Sequence, residues 1–281
     1  MQKIAVITDS ASDLSLEQLK EMNINLLPLR VIYSHKDYQD KIEISAKEVY
    51  DNLANEIPKT SLPSAQTMDE ILTKLEDEGY THVIAVCISS GLSGTCNSLR
   101  LILEDHPKLT SYVYDTKILA YPEGEIVLEV AKLVNSGKSF EEVIEALTKI
   151  REKITGYFTI DTLEYLKKGG RIGRVAGTIG DLLSLKPIIT TDENGVYYTI
   201  SKARGRKQAL SKMTSILKEH LAKGKCEVTI LECACREEAE KYMAQVAELP
   251  NVTNLKISEI SPALGVHGGP GLMGFAIKLV E

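Results

Sequence analysis

Thr81-His82-Val83-Ile84-Ala85-Val86-Cys87-Ile88 runs directly into Ser89-Ser90-Gly91-Leu92-Ser93-Gly94-Thr95, and this passage decides the fold class. Apolar residues occupy successive rather than alternate positions of the first segment, so the strand is apolar on both faces, as the central strands of parallel sheets are. The small and hydroxyl residues that follow are those of a tight strand-to-helix turn. Working outward, Lys3 to Thr8 reads as a second buried strand, and Ser111 to Asp115 as a shorter third. Ser15 with Gln18, Ser45 with Glu48, Thr67 with Glu70 and Ser139 with Glu142 each form a capping box, so helices are predicted to begin at these points. Alternation of short apolar strands with capped helices is the signature of an α/β fold built on a parallel sheet.

Past Ile154 the pattern changes. Lys167 to Gly180 holds five glycines and four basic residues, which is loop chemistry. Strands follow at Pro187 to Thr191 and Val196 to Ile200 around Asn194-Gly195, a strong hairpin signal that requires antiparallel pairing. Further strands are expected at Tyr157 to Ile160, Cys226 to Cys233, Asn254 to Ile260 and Gly274 to Val280, with helices at Lys207 to Leu221 and Arg236 to Leu249. The expected organisation is therefore a largely parallel N-terminal α/β domain over residues 1–155 and a mixed α/β domain over 156–281.

A chain of 281 residues, 43% hydrophobic and 26% charged, buries a sizeable core without disulfides or metals. Its net charge of −6 lacks the global positive field that a general nucleic-acid binder needs. The five cysteines show no zinc or redox spacing, and their odd number argues against a disulfide framework. No cofactor or metal is expected. No apolar run approaches the roughly 18 residues that would suggest a membrane span. The N-terminus enters a strand without a signal-peptide pattern, so the expected location is the cytoplasm, with at most transient membrane contact. With no Trp and three Phe, against twelve Tyr, the interior must be built mainly from Ile, Leu, Val and Ala, and an aliphatic cavity is expected over an aromatic one.

Ligands of open α/β sheets bind beyond the carboxyl ends of strands. Three hydroxyl-rich loops fit that position: Thr8-Asp9-Ser10-Ala11-Ser12, Thr60-Ser61-Leu62-Pro63-Ser64 and Ser89 to Thr95. Such turns attract anions, and they equally serve as helix caps with no ligand at all. His267 lies in Leu264-Gly265-Val266-His267-Gly268-Gly269-Pro270-Gly271, where glycines let the backbone approach something closely and leave the imidazole as the one polar side chain. Gly91-Leu92-Ser93-Gly94-Thr95 nearly matches a nucleophile elbow. With Asp115 and His267 it follows the residue order of an α/β-hydrolase, although Thr95 stands where a second glycine is wanted. A serine hydrolase using Ser93, Asp115 and His267 is thus the alternative reading, and a small-molecule anion sensor is a third. Two basic clusters, KKGGRIGR at 167–174 and KARGRK at 202–207, are solvated surface or a docking site for an acidic or phosphorylated partner.

Together these loops resemble one family. ITDSASDL at 7–14, KTSLPS at 59–64, ISSGLSGT at 88–95, LEYLKKGGRIG at 163–173, Lys186-Pro187-Ile188 and GVHGGPG at 265–271 are similar, in order and spacing, to the DegV family of bacterial fatty-acid-binding proteins. Its characterised members are the FakB subunits of fatty acid kinase. The resemblance implies two α/β domains enclosing one fatty acid in a tunnel, with the carboxyl group at its mouth. It implies that the protein is no enzyme itself but hands the carboxylate to a separate ATP-dependent kinase, whose acyl phosphate product feeds phospholipid synthesis. Carried over residue by residue, the ligand-binding positions are Thr60, Ser61, Ser93 and His267. The arginines for phosphotransfer or kinase docking are Arg171, Arg174 and Arg204. Thr116 to Gly124 departs from the Ser-rich segment usual in the family and forms an atypical stretch of the expected pocket wall.

Overall fold

The computed structural model describes residues 2–178 and 185–280. Gly180, the end of the glycine-rich stretch, lies outside the described residues. Strands β1 (Ile4–Asp9), β2 (Ile24–Leu27), β3 (Arg30–Ile32), β4 (Asp37–Gln39), β5 (Lys59–Ser61), β6 (His82–Cys87) and β7 (Thr110–Asp115) belong to the first half of the chain. They form two sheets. A parallel sheet has the order β2-β1-β6-β7, and a small antiparallel one has the order β4-β3-β5. β6 lies between β1 and β7 and is buried from Val83 to Cys87, as its continuous apolar run requires.

Pro28, which has no amide proton to donate, separates β2 from β3 and the two strands enter different sheets. β2 pairs with β1, whereas β3 pairs with β4 and β5. The short sheet matters because β5 carries Thr60 and Ser61, opposite Val31 and Arg30 of β3.

The second half supplies β8 (Ile154–Thr159), β9 (Leu185–Thr191), β10 (Tyr197–Arg204), β11 (Cys226–Glu232), β12 (Val252–Glu259) and β13 (Met273–Leu279), in the order β10-β9-β8-β13-β11-β12. Among the described residues of this sheet only β11 and β12 pair in parallel; the remaining pairs are antiparallel. The Asn194-Gly195 turn joins β9 to β10, with Gly195 at φ +73°. The boundary drawn from sequence at 155/156 falls inside β8. Ile154 and Thr155 already pair with Lys278 and Ile277 of β13, so the mixed sheet begins two residues earlier.

Helices α1 (Leu16–Glu21), α2 (Ala46–Asn52), α3 (Ala65–Asp77), α4 (Thr95–Leu103), α5 (Tyr121–Asn135) and α6 (Phe140–Glu152) accompany the first half. α7 (Glu164–Lys168), α8 (Arg206–Leu221), α9 (Arg236–Ala247) and α10 (Pro262–Gly268) accompany the second. Three capping boxes form at Ser15, Ser45 and Ser139. The fourth does not. α3 starts earlier, because Ser64 after Pro63 is extended and its hydroxyl accepts the Thr67 amide at 3.1 Å. The stretch expected to be loop after Lys167 contains the end of α7 and a 3₁₀ helix over Gly173–Thr178. Glycine-flanked His267 likewise sits on a helix, α10, not on a flexible loop.

One apolar cluster runs through both halves, joining Ile84 and Val86 of β6 to Ile189, Leu231 and Ala276 of the mixed sheet. Charged contacts reinforce this junction. Lys278 of β13 lies 3.1 Å from Glu125 and 2.9 Å from Glu129 of α5, and Lys256 of β12 donates to Tyr121 at 2.5 Å. Among the described residues no helix is long and apolar enough to cross a membrane.

Candidate ligand-binding site

Where the two halves meet, they enclose a cavity of about 1000 Å³ of non-atom space, counted with its open mouth. Its walls come from both halves. Leu29, Ile88 and Ile118 face it from the first, and Leu231, Ile260 and Leu272 from the second. The lining is mostly aliphatic, with aromatic contributions from Phe158 and Tyr197. Tyr197 meets Phe158 edge-on, with ring centroids 5.2 Å apart, and burial pushes its hydroxyl pKa upward.

Thr60, Ser61, Ser93, His267 and Arg171 line the same cavity. Thr60 and Ser61 are held by the β3–β5 pairing. Ser93 occupies the turn after β6, where its hydroxyl lies 2.9 Å from Thr95 Oγ1 and accepts the Thr95 amide at 3.3 Å. This turn is braced by the second half: Ser89 Oγ donates to Gly195 O at 2.8 Å, and Gly91 packs so closely on the Asn194-Gly195 backbone that any side chain would overlap it. The hairpin turn read from Asn194-Gly195 therefore also shapes the hydroxyl loop.

His267 is the centre of the polar group. Its Nε2 lies 2.7 Å from Thr60 Oγ1. Its Nδ1 is buried without a hydrogen-bond partner and rests on Gly169, where a Cβ would overlap the ring. A proton on Nδ1 would leave a buried N–H unpaired, which costs more than a lone pair against a Cα–H. The tautomer that fits is therefore Nε2–H donating to Thr60, which frees the threonine hydroxyl to donate to a ligand. Desolvation, helped by the Arg171 charge, lowers the His267 pKa to about 4. The imidazole is neutral near pH 7.

Arg171 Nε donates to Leu92 O at 3.2 Å and Nη1 to Gly169 O at 2.8 Å. It thereby ties the Ser93 turn to the glycine pair behind His267. Arg174 and Arg204 stand apart from the cavity. Arg174 is exposed and pairs with Asp192 at 2.5 Å, and Arg204 is exposed at the end of β10.

The hydrolase arrangement is not formed. Asp115 accepts the Ser90 amide at 3.0 Å and the Lys117 amide at 3.1 Å, and its carboxylate pairs with the Lys117 ammonium at 2.7 Å. Among the described residues no carboxylate orients His267, whose polar neighbour is Thr60, and Ser93 bonds to Thr95. The Thr8 to Ser12 loop is also not a ligand loop. It is buried outright and does not line the cavity. Sequence reasoning missed Thr190, Thr191 and Tyr197, because nothing local distinguishes a cavity-facing strand residue from a core residue.

Fold and site together define an α/β protein with an aliphatic cavity between its halves that ends in hydroxyls, a neutral imidazole and an arginine. The chain belongs to the DegV family, whose model, described as an uncharacterised protein of that family, matches residues 3–279. A DegV domain-containing protein of Clostridium perfringens is 52% identical over 278 residues, covering 99% of both chains. Two solved structures superpose closely. A fatty-acid-binding DegV family protein of Thermus thermophilus has TM-score 0.92 at 29% identity, covering 99% of this chain and 100% of that one. DegV of Bacillus subtilis, a fatty acid binding protein, has TM-score 0.92 at 30% identity and covers both chains fully.

Proposed function

We propose that this protein binds one long-chain fatty acid with its alkyl tail in the aliphatic cavity and its carboxyl group at Thr60, Ser61, Ser93 and His267. The observation that carries this reading is the polarity of the cavity: aliphatic walls ending at the Thr60–His267 pair and the Ser93 turn. The fatty acids bound by similarly folded DegV proteins support it. At ~0.8 kcal/mol per buried CH₂, about fifteen methylenes offer ~12 kcal/mol of transfer free energy before the costs of ordering and association. The tail therefore supplies affinity, and the head group supplies orientation.

The uncharged donors bear on the fate of the bound ligand. Hydroxyls hold a carboxylate without neutralising it, and so leave an oxygen able to attack a phosphoryl group. In this reading the protein is not itself the catalyst. A separate ATP-dependent fatty acid kinase phosphorylates the bound carboxylate, and the acyl phosphate goes on to phospholipid synthesis in the cytoplasm. Arg171 sits beside the head group and stabilises transferred charge. Exposed Arg174 and Arg204 contribute to docking of the kinase. No resident metal or cofactor takes part, and any membrane contact is transient.

Organic extraction of purified protein followed by mass spectrometry tests the binding step, with one fatty acid per chain expected. A protein that stays empty after incubation with hexadecanoic and octadecenoic acids overturns it. For the transfer step, acyl phosphate is expected to form only when kinase, ATP and loaded protein are combined.

A further inference from the structure

Between β1 and α1 lies a segment whose polar groups point away from the cavity. Asp9, Ser10, Ser12 and Asp13 are buried, as is Asp40 just after β4. Asp9 serves its own half of the chain, accepting the Ala11 amide at 3.0 Å and the Ile88 amide at 2.9 Å. Asp13 and Asp40 reach across to the other half. Asp13 Oδ1 accepts the Ser261 amide at 2.9 Å, and Asp40 Oδ1 accepts the Ala263 amide at 3.0 Å. These two N–H groups belong to the cap and first turn of α10, where the helix's own bonding pattern provides no acceptor. The side chain of Ser261 makes no capping bond, so the distant aspartates do what a local cap ordinarily does. Ser10 Oγ donates to Asp40 Oδ2 at 2.5 Å and accepts the Leu29 amide at 3.0 Å, which fixes the Asp40 carboxylate.

One and a half turns later the same helix carries His267, with Nε2 on Thr60. We propose that Asp13 and Asp40 are positioning residues for the head-group site: by anchoring the first turn of α10 they set the imidazole of His267 against Thr60 across the junction of the two halves. Tyr50 assists from α2. Its hydroxyl donates to Ile260 O at 2.5 Å, and its ring fills the space left by Gly265, so the anchored helix cannot slide along its axis without overlap. This assignment rests on the reading of the cavity as a fatty acid site only for its functional consequence; the anchoring itself is independent of any ligand.

The test uses the full chain labelled at histidine and observed by NMR without ligand, with His267→Gln assigning the ring signals. Asp40→Ala is expected to move the His267 ring resonances while leaving those of His106, bound to Asp69 and Glu76 elsewhere, in place. Asp40→Asn, whose amide oxygen still accepts the Ala263 N–H, restores them. Wild-type His267 resonances in a folded Asp40→Ala protein would overturn the proposal. Should that variant not fold, hydrogen exchange of the unmodified protein decides the matter. The Ser261 and Ala263 amides must exchange as slowly as those of β6, and exchange at the rate of exposed loops overturns the assignment.

A second arm adds [1-¹³C]hexadecanoic acid. Asp40→Ala is expected to weaken its binding about tenfold, equivalent to ~1.4 kcal/mol, and to shift the bound carboxyl resonance, with affinity for hexadecanol less affected. If the unmodified protein binds no hexadecanoic acid, the ligand reading fails, while the His267 resonances still report on the anchoring.

Discussion

Two serine-bearing turns follow neighbouring parallel strands, at the end of β1 through Asp13 and from Ser89 to Thr95 after β6; both are rich in small hydroxyl residues, and only the first carries carboxyl groups. Yet they have opposite fates. The first is buried, with its carboxylates spent on backbone amides at Ala11, Ile88 and Ser261. The second presents Ser93 to a cavity and is braced from behind by Gly195. The difference is the carboxyl group: its two oxygens accept amides from distant segments and make the first turn a junction, whereas the Ser93 hydroxyl bonds within its own turn to Thr95 and is left facing the cavity.

The largest expected effect breaks the scaffold turn. Asp9→Ala leaves the buried Ala11 and Ile88 amides without acceptors and should cost about 3 kcal/mol, whereas Ser93→Ala should cost less than ~0.5 kcal/mol. Denaturant midpoints measured on both variants check this, and equal losses would erase the distinction between the turns. Next, Ser93→Ala combined with His267→Ala should cut kinase-dependent acyl phosphate formation about a hundredfold, which is ~2.7 kcal/mol. Retention of hexadecanoic acid should fall much less, because the tail holds the ligand. Unchanged kinase turnover would remove these residues from the head-group site.

The two regions should also respond oppositely to pH. Burial raises the pKa of Asp9 and Asp13 to about 7 and that of Asp40 to about 6. Native protein therefore holds protons that the unfolded chain has released, and the stability these groups contribute is lost as pH rises from about 4 to about 7. His267, lowered to about 4, has the reverse sign: the unfolded chain binds the extra proton, so its contribution grows between pH 4 and 6.5. Above pH 6.5 only the carboxyl effect remains. Stability should fall by about 1 kcal/mol between pH 6.5 and 7.5, read from denaturant midpoints, and Asp9→Asn should flatten that slope. A flat profile in the unsubstituted protein would show that the scaffold carboxyls titrate normally.

The smallest effect concerns the cavity wall. Ala120 lines the cavity at φ +60°, ψ −157°, a conformation that suits glycine. Ala120→Gly should raise stability by up to ~1 kcal/mol by relieving that strain. Destabilisation would mean that the methyl group's packing outweighs the backbone cost.

Much of the site is legible in the sequence. Hydroxyl-rich turns and a glycine-flanked imidazole mark three loops and His267, the family resemblance narrows them to Thr60, Ser61, Ser93 and His267, and the structure brings those four to one cavity. The basic clusters are legible only as clusters. Sequence could not tell that Arg171 binds two loop carbonyls while Arg174 faces Asp192, because both depend on how loops far apart in the chain meet. The order Ser93, Asp115, His267 suggests a triad; the distances show Asp115 neutralised by Lys117.

What the sequence determined by itself was local: apolar runs that must be covered on both faces, three capping boxes, the Asn194-Gly195 turn, and an aliphatic composition from which a cavity could be lined. These arise from backbone sterics and side-chain polarity within a few residues. Only the tertiary structure decided which polar turn is buried and which is offered to a ligand. Only there does Gly169 become the surface on which His267 rests, and only there do Asp13 and Asp40 become the cap of a helix more than two hundred residues away. The reason is physical. A buried polar group takes whatever partner the packing of distant segments puts within about 3 Å, and no local pattern records that choice.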